Sequence, residues 1–286
     1  MFISERHEPL VPFPNLPEAD KAGRAASELA LRPFGLYESD LNVDFHRTPR
    51  PFLVTQILEC CTRKTSGVEL SESFFWDLTV GKRIECLLNV LASGSTADLS
   101  VTFRCLNREC GQDLELDISI AEIAALQERA YRAEHVSIEL ERTTLSLRRP
   151  TGGDQAAWLK GRFVDQAEAQ QTMIRALLAD PAESTAIATA LTSIDSWTAV
   201  DQAMQEHDPL VDFSVQTSCP YCEAENQYEI DLEELSLTSL RRAQLRLLAS
   251  VHKLARHYHW SEEEIFAVPF WRRVSYLNLI DKERGN

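Results

Sequence analysis

Two cysteine pairs, far apart in the chain, limit what this sequence can fold into more than any other feature. Cys105 and Cys110 enclose Leu-Asn-Arg-Glu and precede Gly111, while Cys219 and Cys222 enclose Pro220 and Tyr221. Such spacings belong to knuckles, tight turns that aim two thiolates at one metal ion. The sequence downstream repeats as well. Counted from the last cysteine of each pair, Ile118 matches Ile230, Ile120 matches Leu232 and Ile123 matches Leu235. Ser119 and Glu122 match Asp231 and Glu234, two helix-start signals in one register. A unit of knuckle, alternating strand and helix start is therefore written twice. Together the halves make a split zinc ribbon, with Cys105, Cys110, Cys219 and Cys222 as ligands of one zinc per chain. Four cysteines close a tetrahedral shell and leave no position for water or substrate, so this metal is expected to be structural. The 108 residues between Cys110 and Cys219 cost only a few kcal/mol to close. Zinc binding of about 10–16 kcal/mol exceeds that, so the halves are expected to need little other core.

The rest of the chain reads as α+β and mostly helical. Residues 1–20 hold Pro9, Pro12, Pro14 and Pro17 with Val11, Phe13 and Leu16 between them. This is an extended proline-rich arm, either a tail or a segment lying along a partner. Residues 21–100 form an N-terminal helical region. It begins with an alanine-rich stretch from Lys21 to Arg32, stopped by Pro33. A helix from Phe52 to Thr62 and a clearer amphipathic one from Val80 to Leu91 follow. Cys60, Cys61 and Cys86 lie on or beside the apolar stripes of these helices and read as small core side chains.

The first half of the ribbon occupies 101–124, with strands around Val101–Phe103 and Leu114–Ile120, and a helix runs on from Ile120 to Ala133. An insertion at 125–210 holds a second hairpin (Val136–Leu140 and Leu145–Leu147) and a helix capped by Asp154. Helices from Val164 to Leu178 and from Ala182 to Met204 complete it. The second half of the ribbon occupies 211–235 and a C-terminal helical region 236–286. There Leu240, Leu247, Val251, Leu254 and Tyr258 form a stripe, and Ser261 to Glu264 a capping box.

Composition narrows the function. The chain is 44% apolar and 26% charged, as in ordinary globular proteins. No apolar run approaches the roughly 18–20 residues that span a bilayer, and Met1 to Leu10 show no basic leader before an apolar stretch. No membrane association is expected. Seven cysteines, an odd number, fit a reducing cytoplasm with metal-bound thiolates better than a disulfide framework. A net charge of −15 repels phosphate backbones. The basic residues near the carboxyl end (Arg241, Arg242, Arg246, Lys253, Arg256, Arg272 and Arg273) alternate with an apolar seam, so nucleic acid is not the expected partner. His252, His257 and His259 read as solvated histidines near a helix end. Gly152-Gly153 lacks the lysine and strand context of a phosphate loop. No nucleophile or catalytic residue stands out, and the chain reads as non-enzymatic.

Three stretches together carry a family resemblance. They are Leu78-Thr-Val-Gly-Lys-Arg83 at a helix start, the knuckle–strand units Cys105–Ile120 and Cys219–Leu232, and the carboxyl end. The last runs from Val251 through the Trp260-Ser-Glu turn to Arg272-Arg-Val-Ser-Tyr-Leu277 and Ile280. These resemble the T-even-type phage baseplate hub assembly chaperone family of contractile phage tails and contractile injection systems. The resemblance covers most of residues 70–286. Lys82 departs from the aspartate common in the family, and the first knuckle holds four intervening residues where two is commoner. The resemblance implies a non-enzymatic assembly factor or structural adaptor that binds baseplate, hub or other tail proteins. It implies the cytoplasm of the bacterial producer or host, with or without retention in the assembled particle. The other reading of a zinc ribbon is a nucleic-acid-binding or transcription-related module.

Overall fold

The computed structural model describes residues 9–16, 28–64, 69–94, 98–130, 133–140, 143–180, 182, 187, 191 and 193–284. In chain order the elements are β1 (Val11–Pro12), β2 (Leu29–Leu31), α1 (Arg50–Cys61), β3 (Thr62–Lys64), α2 (Phe74–Asp77) and α3 (Val80–Ser93). Next come β4 (Asp98–Arg104), β5 (Asp113–Ser119), α4 (Ile120–Ala130), β6 (His135–Leu140) and β7 (Thr143–Arg148). The insertion continues through α5 (Gly152–Lys160), α6 (Gln166–Leu177) and α7 (Ile194–His207). The chain closes with β8 (Phe213–Ser218), β9 (Glu225–Ile230), α8 (Leu232–Tyr258), α9 (Glu262–Ala267) and α10 (Phe270–Arg284). The result is an α+β fold in which helices surround small antiparallel sheets: β1-β2-β3, and the hairpins β4–β5, β6–β7 and β8–β9.

The main core forms around α3. Thr79 caps this helix by accepting from the Lys82 N–H, and Val80, Ile84, Leu87, Leu88 and Leu91 all turn inward. They meet Val54, Ile57 and Leu58 of α1 and Leu237 and Leu240 of α8. The stretch Leu78–Arg83 also ties remote segments together. Val80 N–H donates to Pro150 O at 2.8 Å and Gly152 N–H to Leu78 O at 3.1 Å. Gly81 must be glycine because a Cβ there would lie 1.9 Å from Asp208 Oδ1 and 2.7 Å from Gln127 Nε2. The guanidinium of Arg83 is buried and donates to Phe75 O (2.6 Å), Pro51 O (2.5 Å) and Thr55 Oγ1 (3.0 Å).

A second core in the insertion gathers Ile138, Leu145, Leu147, Leu177, Leu191 and Val200. At the carboxyl end α10 folds back on α8, so that Ile280 joins Leu247, Val251, Leu254 and Ile265. The turn between them carries Trp260 stacked on Tyr258 at 4.8 Å, and Ser261 and Glu264 form the capping box of α9. Among the described residues no helix is long and apolar enough to cross a membrane.

Several expectations are corrected. Leu29–Leu31 is a strand, the centre of the first sheet; Glu28 and Arg32 on either side are not helical, and the rest of the stretch expected to be helical, 21–27, lies outside the described residues. Within the proline-rich arm, Val11–Pro12 pairs with β2 and Phe13 enters the main core, so this part lies on its own chain. The cap of α5 is Thr151, with Asp154 three residues in as the returning half of a capping box. The last insertion helix begins at Ile194, capped by Ser193; most of 182–192 lies outside the described residues. Cys61 and Cys86 are buried as expected, but Cys60 is half-buried, 3.2 Å from Arg32 Nη2.

Candidate metal centre

The two repeated units fold alike. In the first hairpin Arg104, just before Cys105, pairs with Asp113; in the second, Ser218, just before Cys219, pairs with Glu225. Each partner is the third residue after the second cysteine. Cys105 N–H donates to Gln112 O (2.8 Å) and Cys219 N–H to Ala224 O (2.9 Å), again at equivalent places. The two extra residues of the first knuckle are taken up in a turn over 106–109, where Asn107 Oδ1 accepts from the Glu109 N–H at 3.1 Å. Directly after each second cysteine the backbone turns left-handed, with Gly111 and Glu223 both at φ 57°. The helices α4 and α8 then start at equivalent positions, and Asp231 caps α8 by accepting from the Glu234 N–H.

The hairpins meet at their tips. The four sulfurs of Cys105, Cys110, Cys219 and Cys222 all lie within 4.8 Å of one another. Among the described residues they are the one cluster of three or more metal-ligating side chains. Sulfurs of opposite hairpins approach as Cys105–Cys222 at 3.7 Å and Cys110–Cys219 at 3.8 Å, too long for a disulfide bond of about 2.05 Å. A tetrahedral ion with bonds to sulfur of about 2.3 Å has edges of about 3.8 Å. The donor set therefore fits one four-coordinate metal.

Backbone N–H groups favour thiolate at the site. They approach Cys105 from Asn107, Cys110 from Gln112, and Cys219 from Tyr221 and Cys222. At Cys105 loss of solvent outweighs this and, with the Cys219 and Cys222 thiols, pushes the group up to about 11. At Cys219 loss of solvent also raises the value, but the backbone donors and the Cys105 and Cys222 thiols bring it down to about 7. Four sulfurs so close cannot all ionise without a cation, and a metal supplies one.

Side chains that the cysteine spacing did not reveal hold the tips together. Asn226 is buried, accepts from the Leu106 N–H at 2.8 Å through Oδ1, and donates to Ala224 O at 2.7 Å. Asn107 Nδ2 lies 3.6 Å from the Cys222 sulfur. Tyr228 stacks on Phe103 at 4.3 Å and donates to Arg104 O at 3.1 Å. Alternation marked Phe103 as a strand residue, but nothing local assigned it to Tyr228.

The expectation that the halves need little other core is overturned. Leu99 and Ile118 at the base of one hairpin and Phe213 and Ile230 at the base of the other are all part of the main core. Only the tips form a separate small cluster of Cys105, Leu114, Cys219 and Tyr228.

The remaining histidines and basic residues lie outside this cluster. His257 lies 3.4 Å from Glu283, and His259 ends α8 with φ 58°. Lys253 pairs with Asp281, Arg241 meets His46 at 3.1 Å, and Arg273 is buried. In comparisons with family models, curated proteins and solved structures, this chain matches none.

Proposed function

We propose that Cys105, Cys110, Cys219 and Cys222 hold one structural zinc, closing a split zinc ribbon. We further propose that the chain is a non-enzymatic assembly factor or structural adaptor of a contractile phage tail or injection-system baseplate hub, acting through protein contacts. The observation that carries the metal reading is the pair of cross-hairpin sulfur distances, which agree with the edge of a zinc–thiolate tetrahedron. Bound zinc would fix the tips and supply no reactive position, since four thiolates fill its shell. An all-thiolate tetrahedral site also accepts iron, and colour separates the two. Elemental analysis of protein purified without added metal should give about one colourless zinc per chain. Cys222→Ser should lose that metal and Cys86→Ser should keep it. Equal zinc in both variants refutes the ribbon.

Support for the baseplate reading comes from the three resembling stretches. Leu78–Arg83, the bases of both cysteine hairpins and the start of α8 pack into one core, so motifs remote in sequence belong to one folded unit. Exposed Leu245, Leu248, Phe270, Trp271 and Leu279 offer apolar faces for protein partners. The test is co-expression with baseplate hub subunits of a contractile particle, followed by capture at low and high salt. Retention of a hub subunit at high salt is expected, because apolar contacts persist where phosphate binding weakens steeply. Capture of nucleic acid that is lost with added salt establishes the alternative reading instead.

A further inference from the structure

A groove runs between α10, the end of α8, the loop 33–39 and the carboxyl end of α3. Its wider part encloses about 1200 Å³ and is walled by Leu36, Phe266, Pro269, Phe270, Trp271 and Val274. A narrower part of about 300 Å³ continues past Leu247 and Val251 to Arg246. Arg273 lines both parts.

This arginine is only 6% exposed. Its Nη2 donates to Leu36 O at 2.6 Å, and its Nε has no hydrogen-bond partner. The guanidinium carbon lies 4.9 Å from the Phe266 ring centre and 5.7 Å from that of Phe270. Among the described residues no carboxylate pairs with it. Among the described residues Glu38 is the one acidic side chain lining the groove, whereas Arg242 and Arg246 lie along its extension. A buried cation with no counter-ion among the described residues is costly. It persists here in a groove of local positive charge on a chain whose net charge is −15. Another large groove, about 700 Å³ beside Arg50, differs in this respect: Arg50 already meets Asp231 and Glu233 at 2.8 and 3.0 Å.

We infer that this groove is a docking site for a segment of a partner protein that presents a carboxylate between apolar side chains. The carboxylate supplies the missing counter-ion of Arg273, and the flanking apolar groups cover Phe270 (48% exposed) and Trp271 (49% exposed). A phosphodiester backbone has no apolar stem with which to follow a recessed guanidinium, so the geometry favours protein over nucleic acid. The inference rests on the proposed protein-binding role but on neither the metal nor the baseplate assignment.

The test selects random peptides displayed on phage against the full-length protein. The most enriched peptide is then made with a fluorescent label and titrated by anisotropy. Enrichment of Asp or Glu flanked by Leu, Phe or Trp is expected. Arg273→Met should weaken binding about 30-fold or more, the usual result of stranding one member of a buried ion pair. Replacing the peptide carboxylate by its amide should do the same. Val274→Glu alters a partly exposed wall position and keeps the test valid if Arg273→Met fails to fold; it too should abolish binding.

No enrichment, acid-free peptides, or affinity unchanged in Val274→Glu overturns the inference. So does displacement of the peptide by oligothymidylate, which would make the groove a nucleic-acid site. Self-association in light scattering that Val274→Glu removes would assign the groove to a second copy and also overturn it. If Val274→Glu keeps the peptide affinity and still captures a hub subunit, the groove falls while the adaptor reading stands. Peptide binding without any hub subunit supports the groove and removes the baseplate assignment.

Discussion

If the cysteine cluster holds the proposed zinc, stripping it at neutral pH should open the hairpin tips and spare the rest of the fold. Without metal, the tips are held by the Phe103–Tyr228 stack, two cross-hairpin hydrogen bonds between nitrogen and oxygen atoms, Leu106 N–H to Asn226 and Tyr228 O–H to Arg104 O, and weaker contacts to sulfur. The stack contributes about 1 kcal/mol beyond buried area and each hydrogen bond about 1 kcal/mol net. These contacts total about 3 kcal/mol. Ordering the knuckle backbones costs about 1–2 kcal/mol per residue, about 10–20 kcal/mol for Cys105–Cys110 with Cys219–Cys222. The proposed zinc, at about 10–16 kcal/mol, would supply most of that difference. The hairpin bases need no such help, because Leu99, Ile118, Phe213 and Ile230 lie in the main core. Hydrogen exchange before and after chelation reads the outcome. Amides of residues 105–111 and 219–224 should lose protection while those of α3 and α8 keep it, and far-ultraviolet circular dichroism should change little. Cooperative loss of helix on chelation would refute this reasoning by showing that the metal holds the whole fold. Unchanged protection at the tips would refute it by showing that no metal binds there.

Glu223→Gly should stabilise the protein by up to about 1 kcal/mol, seen as a higher urea midpoint with zinc content unchanged. Glu223 stands at φ 57° where the first knuckle has Gly111; a side chain there costs about 1–2 kcal/mol, and the freer unfolded glycine returns part of the gain. Gly81→Ala should destabilise by about 2–3 kcal/mol in the same assay, since its Cβ would overlap Asp208 Oδ1. Stability should also fall as pH is lowered from 6.5 to about 4. Burial, with Arg149 adding to it, holds His207 down to about 4 from its ordinary 6.5. In that window the unfolded chain binds a proton that the folded chain refuses, so stability rises with pH. His207→Gln should flatten this part of the profile when urea midpoints are compared at equal zinc content; an unchanged slope assigns it to other groups.

Much of the secondary structure was legible locally. Val80 to Leu91 and Leu240 to Leu254 carry helical periodicity strong enough to place their buried faces, and the duplicated pattern after each cysteine pair located both hairpins and both following helices. Failures fell where local signals competed. Lys21 to Arg32 is rich in alanine, yet Leu29–Leu31 pairs between β1 and β3 because sheet partners outweigh helix propensity. Asp154 looked like a cap but acts from inside the helix, since Thr151 offers the earlier hydroxyl. The role of Gly81 was invisible because its obstacle, Asp208, lies on the far side of the insertion. Likewise nothing near Arg273 in sequence shows that no described carboxylate pairs with it; that depends on Leu36 and on how α10 folds back.

Sequence by itself determined the repeated cysteine unit, its strand register and the helices that follow, because backbone hydrogen bonds and side-chain periodicity act over a few residues. Tertiary structure alone decided that the four sulfurs converge at tetrahedral spacing, that the hairpin bases share a core, and which buried arginines are satisfied. Those outcomes depend on long-range packing and on the removal of solvent, and neither is encoded in the spacing of neighbouring residues.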